Sequence, residues 1–178
     1  PMKADARTPR IMALSRLLQG ALLILAVLHP AIVLAVTVTM SDAQLASAAL
    51  GAPLGQELSQ VARVLVACLA TLPALILSAG LLCVCPALRD MRSGHAFGKA
   101  TFRGLRRLAA AVVISTMAKI IGAPLISMVL TWHAEETQMA LSLGLGDLQM
   151  LILGAAIWLL AWVMAEGYDL ASENAQFV

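Results

Sequence analysis

The sequence predicts an all-α fold: one integral membrane domain over residues 1–178, built as a bundle of four transmembrane helices with both termini cytoplasmic. Three observations carry this. The chain is 61% apolar and only 12% charged, with a mean hydropathy of +0.89, whereas a soluble domain carries about 25% charged residues. Four stretches, residues 17–38, 64–85, 108–131 and 148–166, are apolar, and their interiors hold a single charge, Lys119. Each is close to the roughly 20 residues a helix needs to cross a hydrocarbon core about 30 Å thick. None shows the period-2 alternation of a barrel strand.

The third observation is where the charge lies. Lys3, Arg7, Arg10 and Arg16 precede the first span, and Arg89, Arg92, Lys99, Arg103, Arg106 and Arg107 fill the connection 86–107 between the second and third. The other two connections hold Asp42 and Glu57, and Glu135, Glu136 and Asp147, with Arg63 at the edge of the second span. Lys and Arg beside helix ends are retained in the cytoplasm. Both termini, connection 86–107 and a tail 167–178 are therefore expected on the inner face of a bacterial cytoplasmic membrane.

Taken in order, Thr8 followed by Pro9 reads as a helix start, the hydroxyl capping and the proline tolerated in the first turn. The basic segment before span one resembles a signal-peptide n-region, but the apolar run is longer than the 7 to 15 residues of an h-region, so it is read as a span. His29-Pro30 in mid-span predicts a kink, because proline removes one ladder bond. Ser41 and Gln44 have capping-box spacing, and Gly51 and Pro53 supply a stop, predicting a short outer helix over Ser41–Leu50. Asp147 places a carboxylate near the positive start of the fourth span. Ala109, Ala110 and Ala111 on span three, and Gly154, Ala155, Ala156, Ala161 and Ala165 on span four, are small enough for close helix approach.

Lys119 is the most informative side chain, because an ammonium in the middle of a span is costly and marks a functional position by default. No span has an acidic residue in its interior. Its partner is thus a helix end, backbone carbonyls, water or another subunit; Gly122 and Pro124 are nearby residues able to break the helix and bare carbonyls to it. The competing reading is a lysine that snorkels toward the interface. His29 is the second intramembrane polar candidate, read as packing against a neighbouring helix.

The remaining chemistry is excluded by residue type. His29, His95 and His133 lie at different depths, so they do not form a haem pair. Cys68, Cys83 and Cys85 make no C-x-x-C, which argues against disulfide exchange and zinc. The spans offer no carboxylate for proton coupling, there is no Gly-rich phosphate loop after a strand, and a net charge of +2 is no nucleic-acid footprint. No catalytic, cofactor or metal site is expected, and the protein is read as non-enzymatic.

Two segments carry a resemblance. Gly94-His95-Ala96-Phe97, then Thr101, then Leu105-Arg106-Arg107-Leu108-Ala109 lead into the third span; Glu166-Gly167-Tyr168-Asp169-Leu170, then Glu173-Asn174, follow the fourth. This resembles the small bacterial four-helix membrane proteins of domain of unknown function 2975, with their G-x-x-F segment before L-R and their G-x-x-L-x-x-E tail. Thr101 stands where the family usually has Asn, and Gln176-Phe177 where it carries a further polar residue. The resemblance implies no reaction. Family members are often encoded beside small helix-turn-helix regulators, which implies a membrane-bound sensor or regulator.

Phe97, Arg103, Arg106, Arg107, Glu166, Asp169 and Glu173 are accordingly the candidates for binding a partner or anionic lipid, the acidic three recurring on one helical face. The leading expectation is a regulatory or partner-binding membrane component, with the bilayer, a protein partner or a second copy of the chain as what it contacts and no direct nucleic-acid binding. Two alternatives are an accessory subunit of a larger membrane complex, with Lys119 paired across the subunit boundary, and a small permease in which Lys119 meets an anionic substrate.

Overall fold

The computed structural model describes residues 7–52, 57–92, 99–132, 139–141 and 143–174. Its elements are α1 (Arg7–Thr39), α2 (Asp42–Leu50), α3 (Gln60–Leu82), α4 (Cys85–Arg92), α5 (Lys99–Leu130) and α6 (Leu145–Asn174), and among the described residues every regular element is helical. Four stretches are long and apolar enough to span a membrane: Ala13–Thr39, Gln60–Arg89, Thr101–Leu130 and Leu145–Tyr168. The all-α, four-span reading holds.

Several local predictions are realised in detail. The Ser41 hydroxyl accepts from the Gln44 N–H while the Gln44 side chain accepts from the Ser41 N–H, closing the capping box of α2. Gly51 ends that helix in the left-handed region at φ 75° and donates its N–H to Ser47 O. The helix of the second span, α3, ends at Leu82 because Pro86 has no N–H to return to the Leu82 carbonyl; after Cys83 and Val84 the chain restarts as α4 with Pro86 in its first turn.

Other boundaries move. Thr8 lies inside α1, which reaches back to Arg7, so it is not the cap. Connection 86–107 is mostly helical, because α4 occupies its first part and α5 begins at Lys99; the one glycine between Lys99 and Arg107, Gly104, is packed rather than breaking the helix. The fourth span starts at Leu145 and continues without a break to Asn174, so the described part of the tail extends α6. Nor is α5 broken at Gly122 and Pro124.

The long helices pack in sequence: α1 on α3, α3 on α5, α5 on α6, with α4 wedged against α1 and α5 and α2 resting on α5. Among the described residues α1 and α6 share no packed interface, so the bundle is open along that edge. Burial follows this order. About a third of the apolar window of α3 and of α5 is buried, against 11% for α1 and for α6. The outward faces of α1 and α6 carry exposed Leu, Ile, Val and Trp, which suits a lipid surround in which apolar exposure has no aqueous cost.

Close approach rests on small residues. A Cβ at Gly80 of α3 would overlap Ala111 Cβ on α5, and one at Gly154 of α6 would lie 2.7 Å from Val113 Cγ2. Ala109 and Ala111 are buried at these contacts and Ala161 is buried further along α6, whereas Ala155 and Ala156 are exposed. At the end holding the Arg7 and Asn174 helix ends, the Ser15 hydroxyl donates to Leu88 O at 2.8 Å. At the opposite end, Asp42 forms an ion pair with Arg63 (3.2 Å) and its other oxygen accepts from the Leu58 N–H (3.0 Å), tying α2 to the start of α3.

Candidate functional site: a polar corner in an open helical cavity

Lys119 finds its partner within the chain. Its Nζ donates to Asp147 Oδ1 at 2.6 Å, while Asp147 Oδ2 accepts from the Gly144 N–H at 3.1 Å. The carboxylate is buried, with 7% of its side chain exposed, and the lysine side chain is 63% exposed. The burial is therefore one-sided: the carboxylate is fixed by two donors in the first turn of α6, and the ammonium reaches it from the open side. Pairing with the carboxylate offsets the cost of holding Lys119 within a span.

This contact depends on helix register. Antiparallel packing sets Trp158 of α6 against Arg106 of α5, Gly154 against Ala109, and Asp147 against Lys119. The start of α6 therefore lies level with the middle of α5, about 16 Å short of Leu130 at 1.5 Å per residue. In the described part of the connection before α6, the Ala140 N–H donates to Ser127 Oγ of α5 at 3.0 Å, and Ser127 in turn donates to Pro124 O.

Beside the ion pair lies a cavity of about 690 Å³ to which all four long helices contribute. Positions recurring every three or four residues line it: His29, Val33 and Thr37 on α1, and Ser115, Thr116 and Lys119 on α5. Ala70, Pro73 and Ala74 form the α3 wall, and Leu45 of α2 closes one end. The hydroxyls of Thr37 and Thr116 donate to carbonyls one turn back on their own helices, Val33 O and Val112 O, and Ser115 shares Val112 O. Their oxygen lone pairs are left as acceptors at the wall.

His29 thus borders the same cavity as Lys119, a meeting that depth in the sequence does not reveal. Thr37, Ser115 and Thr116 were not singled out by residue type, although Ser115 and Lys119 are four apart on one face. Among the described residues, no three His, Cys, Asp or Glu are grouped to hold a metal ion.

The inner-face candidates are placed at the other end of α5 and α6. Arg103, Arg106 and Arg107 are exposed on the first turns of α5, and Glu166 is exposed on α6. What joins the two helices there is partly aromatic: Phe102 packs on Tyr168 with ring centroids 5.9 Å apart, and the Arg106 guanidinium lies 5.3 Å from the Trp158 ring centre. Phe97, His95, His133, Glu135 and Glu136 lie outside the described residues, as do the side chains of Asp169 and Glu173.

Compared with known proteins, the chain matches one family, described as "Protein of unknown function (DUF2975)", over residues 57–178. No curated protein and no solved structure matches it. Both resembling segments lie inside the matched region, as do Lys119 and Asp147. With two thirds of its length covered, from the last residues before α3 to Val178, the chain belongs to the DUF2975 family.

Proposed function

We propose that this protein is a non-enzymatic, multi-pass component of the bacterial cytoplasmic membrane that binds a protein partner on its cytoplasmic face and regulates it. The observation that carries the reading is the folded, charged end of α5 and α6. Arg103, Arg106, Arg107 and Glu166 are exposed there around the Phe102–Tyr168 contact, so the charges sit on rigid helical turns rather than on a loose connection. Helix-borne charge loses little backbone freedom on docking, which favours specific association. The excess of basic residues at this end supports its cytoplasmic placement.

The accessory-subunit alternative loses its main motive, since Lys119 has a carboxylate partner, Asp147, in its own chain. The test is cross-linking from native membranes with mass spectrometry of what is captured. A cytosolic protein held by the wild type and lost from Arg103→Glu/Arg106→Glu/Arg107→Glu, at equal membrane abundance, supports the reading. Equal capture by both, or capture of integral membrane proteins alone, sinks it.

A further inference from the structure

The geometry points to a binding site for an acyl amphiphile with an oxyanion head group in the cavity beside Lys119, a role separate from the cytoplasmic-face reading. Three observations converge on that chemistry. The first is the donor. An ammonium has three protons; Asp147 takes one, and the exposed lysine head on the cavity wall can offer the others to an acceptor. Because both Asp147 oxygens are engaged and the carboxylate is buried, the group presented to an incoming ligand is the cation.

The second is the wall. Apart from His29 and the hydroxyls of Thr37, Ser115 and Thr116, which are spent on carbonyls of their own helices, the lining away from this corner is mostly apolar, with Val33, Ala74, Leu77, Ile126 and Met150 facing a space within the ordinary size range of small-molecule sites. The third is the access. The bundle is open between α1 and α6, whose outward faces are apolar and exposed, so the cavity has an edge along which a hydrocarbon chain enters from the bilayer without crossing water. A polar head at Lys119 and a tail along α1 and α3 is the arrangement these surfaces fit. A phospholipid phosphate and a free fatty-acid carboxylate share this chemistry.

The experiment is native mass spectrometry of the detergent-purified full chain with oleate, oleyl alcohol or phosphatidylglycerol added in turn. The expected result is one oleate or one phosphatidylglycerol retained per chain, with oleyl alcohol bound at least tenfold more weakly. Retention of oleate alone identifies a free acid as the source, and phosphatidylglycerol alone a lipid. Lys119→Met/Asp147→Asn removes the two charges together, and Ala74→Leu fills the apolar wall; each is expected to weaken binding at least tenfold while keeping wild-type helicity. Should the double variant fail to fold, Lys119→Gln decides on the same readout. Equal binding of oleyl alcohol, binding of no amphiphile, or unchanged oleate binding in the folded variants overturns the proposal.

Discussion

Lys119 and Asp147 are joined at 2.6 Å although one lies in the middle of α5 and the other in the first turn of α6. The two partners are unequally buried, and this makes their loss unequal. Lys119→Ala leaves a buried carboxylate with only the Gly144 N–H, whereas Asp147→Ala leaves an ammonium that is already mostly exposed. Loss of the lysine, which strands the enclosed carboxylate, is expected to lower the unfolding temperature in detergent more than loss of the aspartate, whose ammonium partner faces the open side. Thermal unfolding of both variants in one detergent checks this; equal destabilisation would show that the pair is not held as described.

Gly80 and Gly20 make a matched comparison. A methyl at Gly80 meets Ala111 of the neighbouring helix, while Gly20 has nothing within 4 Å. Gly80→Ala should therefore lower stability by about 1–3 kcal/mol through overpacking. Gly20→Ala should be neutral or stabilising by up to about 1 kcal/mol, because alanine favours the helix. Melting temperatures in the same micelle separate the two.

At the end opposite Arg7 and Asn174, Asp42 holds both Arg63 and the Leu58 N–H, and Arg63 also donates to Met40 O. Both side chains are partly exposed, so the ion pair alone is worth little. Asp42→Ala removes the backbone contact as well, and a loss of about 1–2 kcal/mol is expected. Hydrogen exchange should show the effect first in α2 and the start of α3, with α6 unaffected.

Phe102 is 4% exposed and packs on Tyr168. Phe102→Ala should cost about 3 kcal/mol, while Arg106→Gln, which removes the contact with Trp158, should cost only about 0.5–1 kcal/mol. A loss with Arg106→Gln as large as that with Phe102→Ala would mean that charge, and not ring packing, joins α5 and α6 at this end.

Orientation is open to a direct check. A cysteine at Ser47, in α2, should react with a membrane-impermeant maleimide in intact spheroplasts, and one at Gly167 only after lysis, in a background lacking Cys68, Cys83 and Cys85. The reverse pattern would move the charged α5–α6 end outside and remove the basis for a cytosolic partner.

The sequence by itself determined the fold class, the four spans and the short helix α2 with its cap and stop. Those features depend on composition over 20 residues, or on residues three apart such as Ser41 and Gln44. It also marked Lys119 as costly and Asp147 as suited to a helix start. Only the tertiary structure decided that they belong to each other, because their meeting depends on the register between α5 and α6. That register is set by which small residues interdigitate: Gly154 against Ala109 and Val113 fixes it, and several other alanines on both helices would have served a different one. The open edge was equally hidden, since residues facing lipid and residues facing a neighbouring helix are alike in hydropathy, and only packing distinguishes the faces of α1 that line a cavity from those that meet the bilayer.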